Sequence, residues 1–160
     1  MEWSQVLKDS SLQNLPYKIE LNQFGKIEMS PASNRHGYLQ SRMGIVFEQQ
    51  LPNGIAITEC SILTPMGVRV PDVAWASEAF LKKYGFETPY PAAPEICVEI
   101  LSDSNSDKEM AEKIKHYCAL GAQEVWLVYE TGQIRYFGSE GERKNSQFNI
   151  KATFPKLERG

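Results

Sequence analysis

Two acidic residues lie within stretches of sequence that are otherwise apolar. Asp72 lies in VRVPDVAW, residues 68–75, and Glu99 lies in ICVEIL, residues 96–101. An unpaired carboxylate in a dry interior is costly, so such acids are usually paired with a cation or bind a metal. If the two segments are neighbouring strands, about 4.8 Å apart, both carboxylates can reach one ion. Because Mg²⁺ prefers oxygen ligands and retains waters, this pair is a candidate Mg²⁺ site.

A lysine, Lys113, lies on the apolar face of a predicted helix. At about 100° per residue, it falls between Tyr117 and Leu120 within the apolar arc. Lys115 and Glu112, in contrast, fall outside most of that arc. The Lys113 stem could be buried with its ammonium group at the rim of the core, or the ammonium group could pair with the two carboxylates.

The elements that must position these residues alternate between strands and helices. The pattern predicts strands at 26–29, 54–63, 68–75, 95–101, 124–129 and 133–137, and helices at 35–51, 79–84 and 106–120. Ser33 or Asn34 could cap the first of these helices. The helix at 106–120 joins two apolar strands, which is typical of a crossover connection. The sequence therefore predicts an α/β protein.

Length and composition set the class of protein. The chain has 160 residues, a net charge of −3 and 42% hydrophobic residues, which favours one globular domain. No apolar run approaches the ~20 residues that span a bilayer, and no secretory signal is visible, so we expect a cytoplasmic protein without a membrane partner. Cys60, Cys97 and Cys118 are predicted to be reduced thiols.

Charge is unevenly distributed along the chain. Residues 131–160 carry 6 basic and 3 acidic side chains, whereas residues 1–130 carry 11 basic and 17 acidic ones. The basic residues of this tail, which include Lys156 and Arg159, form either a patch for a polyanion or a solvated terminal hairpin.

Several segments, in this order and spacing, resemble the Uma-type restriction endonuclease family of the PD-(D/E)XK nuclease superfamily. They are IEMSP (27–31) followed by His36, VPDVA (70–74), PEICVEILS (94–102), Glu112-Lys113 through Tyr117 and Gly121, and EVWLV (124–128). The resemblance extends over about residues 20–155. It implies one restriction-endonuclease-like domain, residues 1–160, with a mixed β-sheet flanked by helices. Residues 1–18 would be an N-terminal extension, and residues 131–160 a C-terminal hairpin and tail.

The resemblance also implies the roles of the acids. Asp72 and Glu99 match the superfamily's metal ligands, and the backbone carbonyl of Ile100 would be a further ligand. Glu28 matches an acid that helps to bind the metal or orients its water. His36 could contact the phosphate, lie beside Glu28, or be structural.

The implied lysine departs from the superfamily pattern. The usual lysine lies two residues after the second acid, where this chain has Leu101. Lys113 matches a lysine displaced onto the following helix, and its ammonium group could reach the same site. The loop at 85–94 and the hairpin after Thr131 are candidates for substrate contact, whereas Tyr117 and Trp126 are expected in the core.

These implications predict an endonuclease that hydrolyses DNA with Mg²⁺, or with Mn²⁺ as a substitute. Since a double-strand cut usually needs two active sites, a homodimer or higher homo-oligomer is expected. One alternative is a nuclease-fold protein that binds nucleic acid or a protein partner without cutting. Another is an interaction domain whose acids merely pair with Arg69 and Lys113.

Overall fold

The structure, a computed structural model, describes residues 1–15, 17–102 and 105–154. The helices are α1 (Trp3–Lys8), α2 (Asn34–Gln50), α3 (Glu78–Tyr84) and α4 (Asp107–Ala119), with a 3₁₀ turn at Ser10–Leu12. The strands are β1 (Tyr17–Asn22), β2 (Ile27–Pro31), β3 (Gly54–Thr58), β4 (Ile62–Thr64), β5 (Gly67–Arg69), β6 (Val73–Ser77), β7 (Ile96–Leu101), β8 (Glu124–Tyr129), β9 (Ile134–Gly138) and β10 (Gly141–Arg143).

The strands within these residues form two sheets. The larger sheet has the order β10-β9-β8-β7-β6-β3 and is mixed, because β7 and β8 are parallel and the other neighbours are antiparallel. Helix α4 makes the β7–β8 crossover. The smaller sheet is antiparallel, in the order β2-β1-β5-β4. The predicted mixed sheet flanked by helices is thus confirmed.

Helices cover both faces of the larger sheet. On one face, Phe47 of α2 packs with Val98 and Trp126 in an apolar cluster. On the other face, Tyr117 of α4 packs with Cys97. Because side chains alternate along a strand, Glu99 shares the face of Cys97 and points toward α4. The core therefore places Glu99 beneath the helix that carries Lys113.

Two predicted strands are each divided between the two sheets. The predicted strand at 54–63 ends as β3 at Thr58, and the chain resumes as β4 in the other sheet. Glu59, with a φ of 52°, lies in this break. The predicted strand at 68–75 is likewise divided into β5 and β6, because Pro71 has no N–H to donate to a ladder. Asp72 consequently lies at the junction of the two sheets, one residue before β6.

Strand β1 was not predicted, and it lies in the middle of the smaller sheet. Its first two residues, Tyr17 and Lys18, fall within the expected N-terminal extension 1–18. Ile19 and Leu21 pack against α1 with Val6. Alternation therefore directs Lys18 and Glu20 to the opposite face, toward the larger sheet.

The other predicted elements agree with the structure within one or two residues. Ser33 is the N-cap of α2, and its Oγ accepts a hydrogen bond from the His36 N–H at 3.1 Å. Trp126 and Tyr117 are buried, as expected. The tail residues Lys156 and Arg159 lie outside the described residues. Among described helices, none has the length and apolar character needed to cross a membrane.

The C-terminal hairpin pairs its own charges. Arg135 Nη2 lies 2.7 Å from Glu142 Oε1, and Arg143 Nε donates to Glu140 Oε1 at 2.8 Å. Arg143 also reaches the buried carboxylate of Glu124 at 3.3 Å. These arginines are engaged within the hairpin, which favours the solvated hairpin over a polyanion patch.

Glu124 anchors the segment after β10 to the sheet. Its carboxylate is fully buried and accepts hydrogen bonds from Ser146 Oγ at 2.7 Å, Gln147 N at 2.6 Å and Trp126 Nε1 at 3.1 Å. We expect Glu124→Ala to lower the free energy of unfolding by about 3–5 kcal/mol, because three donors lose their acceptor and Arg143 loses a counter-charge. Urea denaturation measures this, with Glu142→Ala as an exposed control that should change little. Equal losses in both variants would contradict the expectation.

Candidate active site

Three carboxylates and two ammonium groups meet where the two sheets join. The five side chains are each nearly buried, with side-chain exposures of 2% to 11%, and they are Lys18 and Glu20 from β1, Asp72 from the β5–β6 junction, Glu99 from β7 and Lys113 from α4. We call these five residues the charged cluster. Asp72 continues the antiparallel register of Val73 with Val98, so it lies opposite Glu99. The two segments are thus neighbouring strands, which is the condition under which both acids can reach one ion.

Glu99 lies at the centre of the charged cluster. Its Oε2 is 2.7 Å from Lys18 Nζ, and its Oε1 is 3.3 Å from Lys113 Nζ. Tyr117, one turn after Lys113, donates its hydroxyl to Oε1 at 2.9 Å. Complete burial nevertheless raises the pKa of Glu99 in spite of both lysines, and the neighbouring Asp72 adds to the increase. The fold therefore disfavours the ionised form of this carboxyl.

Asp72 is held from both sides. The Ile100 N–H donates to Oδ2 at 2.7 Å, and Oδ1 lies 3.4 Å from Lys18 Nζ and 3.1 Å from His36 Nε2. Burial opposes ionisation, but Lys18 and His36 outweigh it and keep the pKa of Asp72 below its usual range. Gln40 of α2 donates to the backbone carbonyl of Asp72 at 2.9 Å, which fixes this irregular segment.

Glu20 holds Lys113 in place. Each Glu20 carboxylate oxygen lies 3.1 Å from Lys113 Nζ, and Oε2 also accepts the Val70 N–H at 2.7 Å. Burial opposes ionisation here too, yet Lys18 and Lys113 keep the pKa of Glu20 below its usual range. Lys113 is thus buried, on the face of α4 where the helical periodicity placed it, and its ammonium group bridges Glu20 to Glu99.

Glu28 does not join the charged cluster. It lies directly opposite Glu20 in the β1–β2 register, but its side chain is 44% exposed and pairs with Arg69 at 2.8 Å. Arg69 also lies 3.6 Å from Glu20. The structure therefore brings together three of the four predicted catalytic side chains, and Glu20 takes the inner position that was expected for Glu28. The alternation of Lys18 and Glu20 with Ile19 and Leu21 was the available sequence signal for them.

Stability measurements can distinguish the buried position of Glu20 from the half-exposed position of Glu28. Glu20→Gln leaves the buried Lys113 without its main counter-ion, so we expect it to lower the free energy of unfolding by about 3–5 kcal/mol. Glu28→Gln removes only a half-exposed contact and should leave stability close to wild type. Urea denaturation in EDTA makes the comparison, and a larger loss for Glu28→Gln would refute this arrangement.

His36 connects the charged cluster to α2. The hydrogen bond to Asp72, together with the Asp72 charge, raises the pKa of His36 although the ring is partly buried. Its Nδ1 is buried and has no hydrogen-bond partner among the described residues. His36 therefore lies beside Asp72, whereas the sequence left open a position beside Glu28.

The contribution of His36 to stability is expected to fall as pH rises. A raised pKa favours the charged imidazole in the folded protein, so its contribution is complete below the ordinary pKa of about 6.5 and is lost as pH rises through the higher folded value. Urea denaturation of wild type and His36→Gln in EDTA, at about pH 6 and about pH 8.5, tests the linkage. The difference between the two proteins should shrink at the higher pH, and a constant difference would argue against it.

The residues present fit a divalent cation held by oxygen atoms. Lys18 Nζ marks one point that an oxygen of Asp72 and an oxygen of Glu99 both face. Because the N–H and C=O of a strand residue point to the same edge, the Ile100 carbonyl faces the edge where its N–H meets Asp72. Two carboxylates, one carbonyl and waters are a donor set that suits Mg²⁺.

A narrow cleft opens onto these oxygens. It has a volume of about 30 Å³ and is lined by Asp72, Glu99, His36 and Lys113, among others. Across residues 1–15, 17–102 and 105–154, no three His, Cys, Asp or Glu side chains group together as a metal centre. The lysines explain this, because their ammonium groups lie between the carboxylates.

A larger groove adjoins the cleft, and Lys18 lines both. The groove has a volume of about 480 Å³ and is also bordered by Tyr17 and by Phe86 of the loop at 85–94. Phe86 is 74% exposed. Tyr90, in the same loop, exchanges backbone hydrogen bonds with Ser61 and Leu63, which fixes the loop to β4.

A family model described as "Uma2: Putative restriction endonuclease" matches residues 6–158. No curated protein matches the sequence. A solved chain described as "a putative nuclease belonging to DUF820 from Anabaena variabilis ATCC 29413" is 21% identical, with a TM-score of 0.67, and the similarity covers 89% of this chain and 82% of that chain. At this identity the likeness shows a shared fold.

Proposed function

Since this chain belongs to the Uma2 family of restriction-endonuclease-like proteins, we propose that it is a metal-dependent endonuclease that hydrolyses phosphodiester bonds in DNA. Membership of the family supports a nuclease. The single observation that carries the finer proposal is the convergence of Asp72 and Glu99 on one point beside the buried Lys113. This combination suits metal-dependent phosphodiester hydrolysis, because a metal ion can activate the phosphate and the attacking water while a fixed positive charge stabilises the transition state.

In this proposal Asp72, Glu99 and the Ile100 carbonyl hold Mg²⁺. When bound, the ion would polarise the scissile phosphate and lower the pKa of an attacking water. Asp72 suits this role because its carboxylate is ionised and fixed by the Ile100 N–H. Glu99 suits it because a cation favours its ionised form, which burial alone disfavours.

Lys113 supplies the fixed positive charge. Its ammonium group is held by both oxygens of Glu20 and by Glu99 Oε1, so it does not need to reorganise as negative charge develops on the phosphate. Glu20 is accordingly a positioning residue, which acts through Lys113. Tyr117 is also a positioning residue, because its hydroxyl orients Glu99. Glu28, from its exposed position, would act only through Arg69.

Nicking of supercoiled plasmid DNA tests the proposal. Purified protein with Mg²⁺ or Mn²⁺ should convert supercoiled plasmid to open circles, and EDTA should stop the reaction. Asp72→Asn should abolish nicking, whereas Asp9→Asn, the same substitution at a partly exposed position outside the charged cluster, should nick at the wild-type rate. Equal nicking by wild type and Asp72→Asn would overturn the proposal. Analytical ultracentrifugation tests the homodimer that cutting both strands would favour.

A second candidate function is nucleic-acid binding without cleavage. It is favoured by one observation, namely that Lys18, Lys113 and Arg69 already neutralise Glu20, Asp72 and Glu99. Under this alternative, an electrophoretic mobility shift with DNA would persist in EDTA and no divalent ion would produce nicking. Under the endonuclease proposal, the same protein nicks DNA in a manner that requires both acids.

A further inference from the structure

Lys18 occupies the position that the proposed metal requires. Its Nζ lies 2.7 Å from Glu99 Oε2 and 3.4 Å from Asp72 Oδ1, the same pair of oxygens that would face the ion. Lys113 differs, since it contacts the other Glu99 oxygen and is held by Glu20. An ammonium group and a divalent cation repel each other strongly at such distances, so both cannot hold these two oxygens at once.

Cationic side chains already accompany every carboxyl group of the charged cluster. Lys18, Lys113 and the neighbouring Arg69, which lies outside the cluster, face the carboxyl groups of Glu20, Asp72 and Glu99. A divalent ion would therefore bring an excess of at least two positive charges into a buried site, and such an excess is costly in an environment of low polarity. Departure of one ammonium group reduces that excess.

Of the two lysines that contact Glu99, Lys18 is the one that borders the larger groove. Its side chain is 11% exposed, against 5% for Lys113, and it lines both the cleft and the groove of about 480 Å³ beside Tyr17. Lys113 also lines the cleft and a separate cavity of about 250 Å³, but Glu99 and both oxygens of Glu20 hold its ammonium group. The flexible four-carbon stem of Lys18 can therefore swing from the cleft into the groove without opening the core.

We infer that Lys18 is the exchangeable cation of this site: it neutralises Asp72 and Glu99 in the metal-free protein, and a divalent ion displaces it into the adjoining groove. The ammonium group and the metal compete for the same oxygens. Lys18 consequently sets the affinity for the metal. Once displaced, its positive charge lies at the border of the cleft and groove, where it can meet a backbone phosphate of the substrate. This inference rests on the metal site of the proposed function.

Calorimetric titration with Mn²⁺ tests the competition. Lys18→Met keeps the length of the side chain and removes its charge, so it should tighten Mn²⁺ binding by roughly 10- to 100-fold, the usual size of a coupling between two ligands. Lys26→Met removes one positive charge from the exposed β1–β2 turn and should leave Mn²⁺ affinity within about twofold of wild type. Equal affinities for Lys18→Met and Lys26→Met would overturn the inference.

A labelling experiment on the wild type avoids any dependence on variant folding. An amine-reactive acetylating reagent, followed by peptide mass spectrometry, reports how accessible each lysine is. Addition of Mn²⁺ should raise the acetylation rate of Lys18 several-fold and leave that of Lys26 unchanged. A Lys18 that stays protected at saturating Mn²⁺ would overturn the exchange.

Failure of the inference can be told apart from failure of the proposed function. Asp72→Asn should weaken Mn²⁺ binding strongly if the metal site exists. If Asp72→Asn binds Mn²⁺ as the wild type does, the proposed metal site itself is refuted. If Asp72→Asn loses binding while Lys18→Met equals Lys26→Met, the metal site stands and only the exchange is refuted.

Discussion

Glu99→Gln is expected to abolish nicking while leaving the metal-free protein at least as stable as the wild type. The substitution removes the carboxylate at the centre of the charged cluster, so we expect a loss of about 1,000-fold or more, ~4 kcal/mol of transition-state stabilisation. Stability should survive because burial raises the pKa of Glu99, which means that folding already favours the uncharged form. Plasmid nicking and urea denaturation in EDTA measure the two quantities.

Asp72→Asn is the matched comparison for the effects of Glu99→Gln on nicking and on stability. Folding lowers the pKa of Asp72, so its ionised form stabilises the folded protein. This stabilisation is complete above the pKa of Asp72 in the unfolded chain and is lost as pH falls through the lower pKa of the folded protein. A neutral amide therefore loses the contacts with Lys18 and His36 at neutral pH. Both variants should be inactive, but only Asp72→Asn should be destabilised. If Glu99→Gln were the less stable of the two, our assignment of the charges would be wrong.

Lys113→Met should give the second large effect. Loss of the fixed ammonium group is expected to slow nicking by about 100- to 1,000-fold. It should also cost about 3 kcal/mol of stability, because the buried Glu20 carboxylate loses its main counter-charge. Lys115→Met, two residues later on the exposed face of α4, is the control and should match wild type in both respects.

Activity must be measured where the Lys113→Met variant is folded. Circular dichroism identifies a temperature at which Lys113→Met and Lys115→Met are both fully native, and the nicking rates are compared at that temperature. A variant that is native and cuts at the wild-type rate would remove Lys113 from the mechanism. If Lys113→Met nicks at the wild-type rate but is less stable, Lys113 is only a structural ion-pair partner, as in the interaction-domain hypothesis.

The sequence allowed the local parts of the site to be predicted. The inward direction of Lys113 followed from helical periodicity, and its side chain is buried. The apolar surroundings of Glu99 indicated a covered strand, and β7 is buried along its whole length. The resemblance to the Uma-type family, which depended on short segments around these residues, is confirmed by the family match.

The parts of the site that depend on pairing between strands far apart in the sequence could not be predicted. Lys18 and Glu20 reach the site only because β1 pairs with β5, which places a polar face of β1 against the larger sheet. Glu20 and Glu28 lie opposite each other and therefore on the same face of the β1–β2 pair, so local pattern could not show that Glu20, on the inner strand, reaches the site and Glu28, on the edge strand, does not. The break at Pro71, which moves Asp72 out of a strand, depends on the chain changing sheets.

A crystal structure after soaking in Mn²⁺, with data collected near the manganese absorption edge, tests the metal site directly. We expect an anomalous difference peak between the carboxylates of Asp72 and Glu99, near the Ile100 carbonyl, with Lys113 still paired to Glu20. A well-occupied manganese elsewhere, with Lys18 unmoved between Asp72 and Glu99, would refute the site.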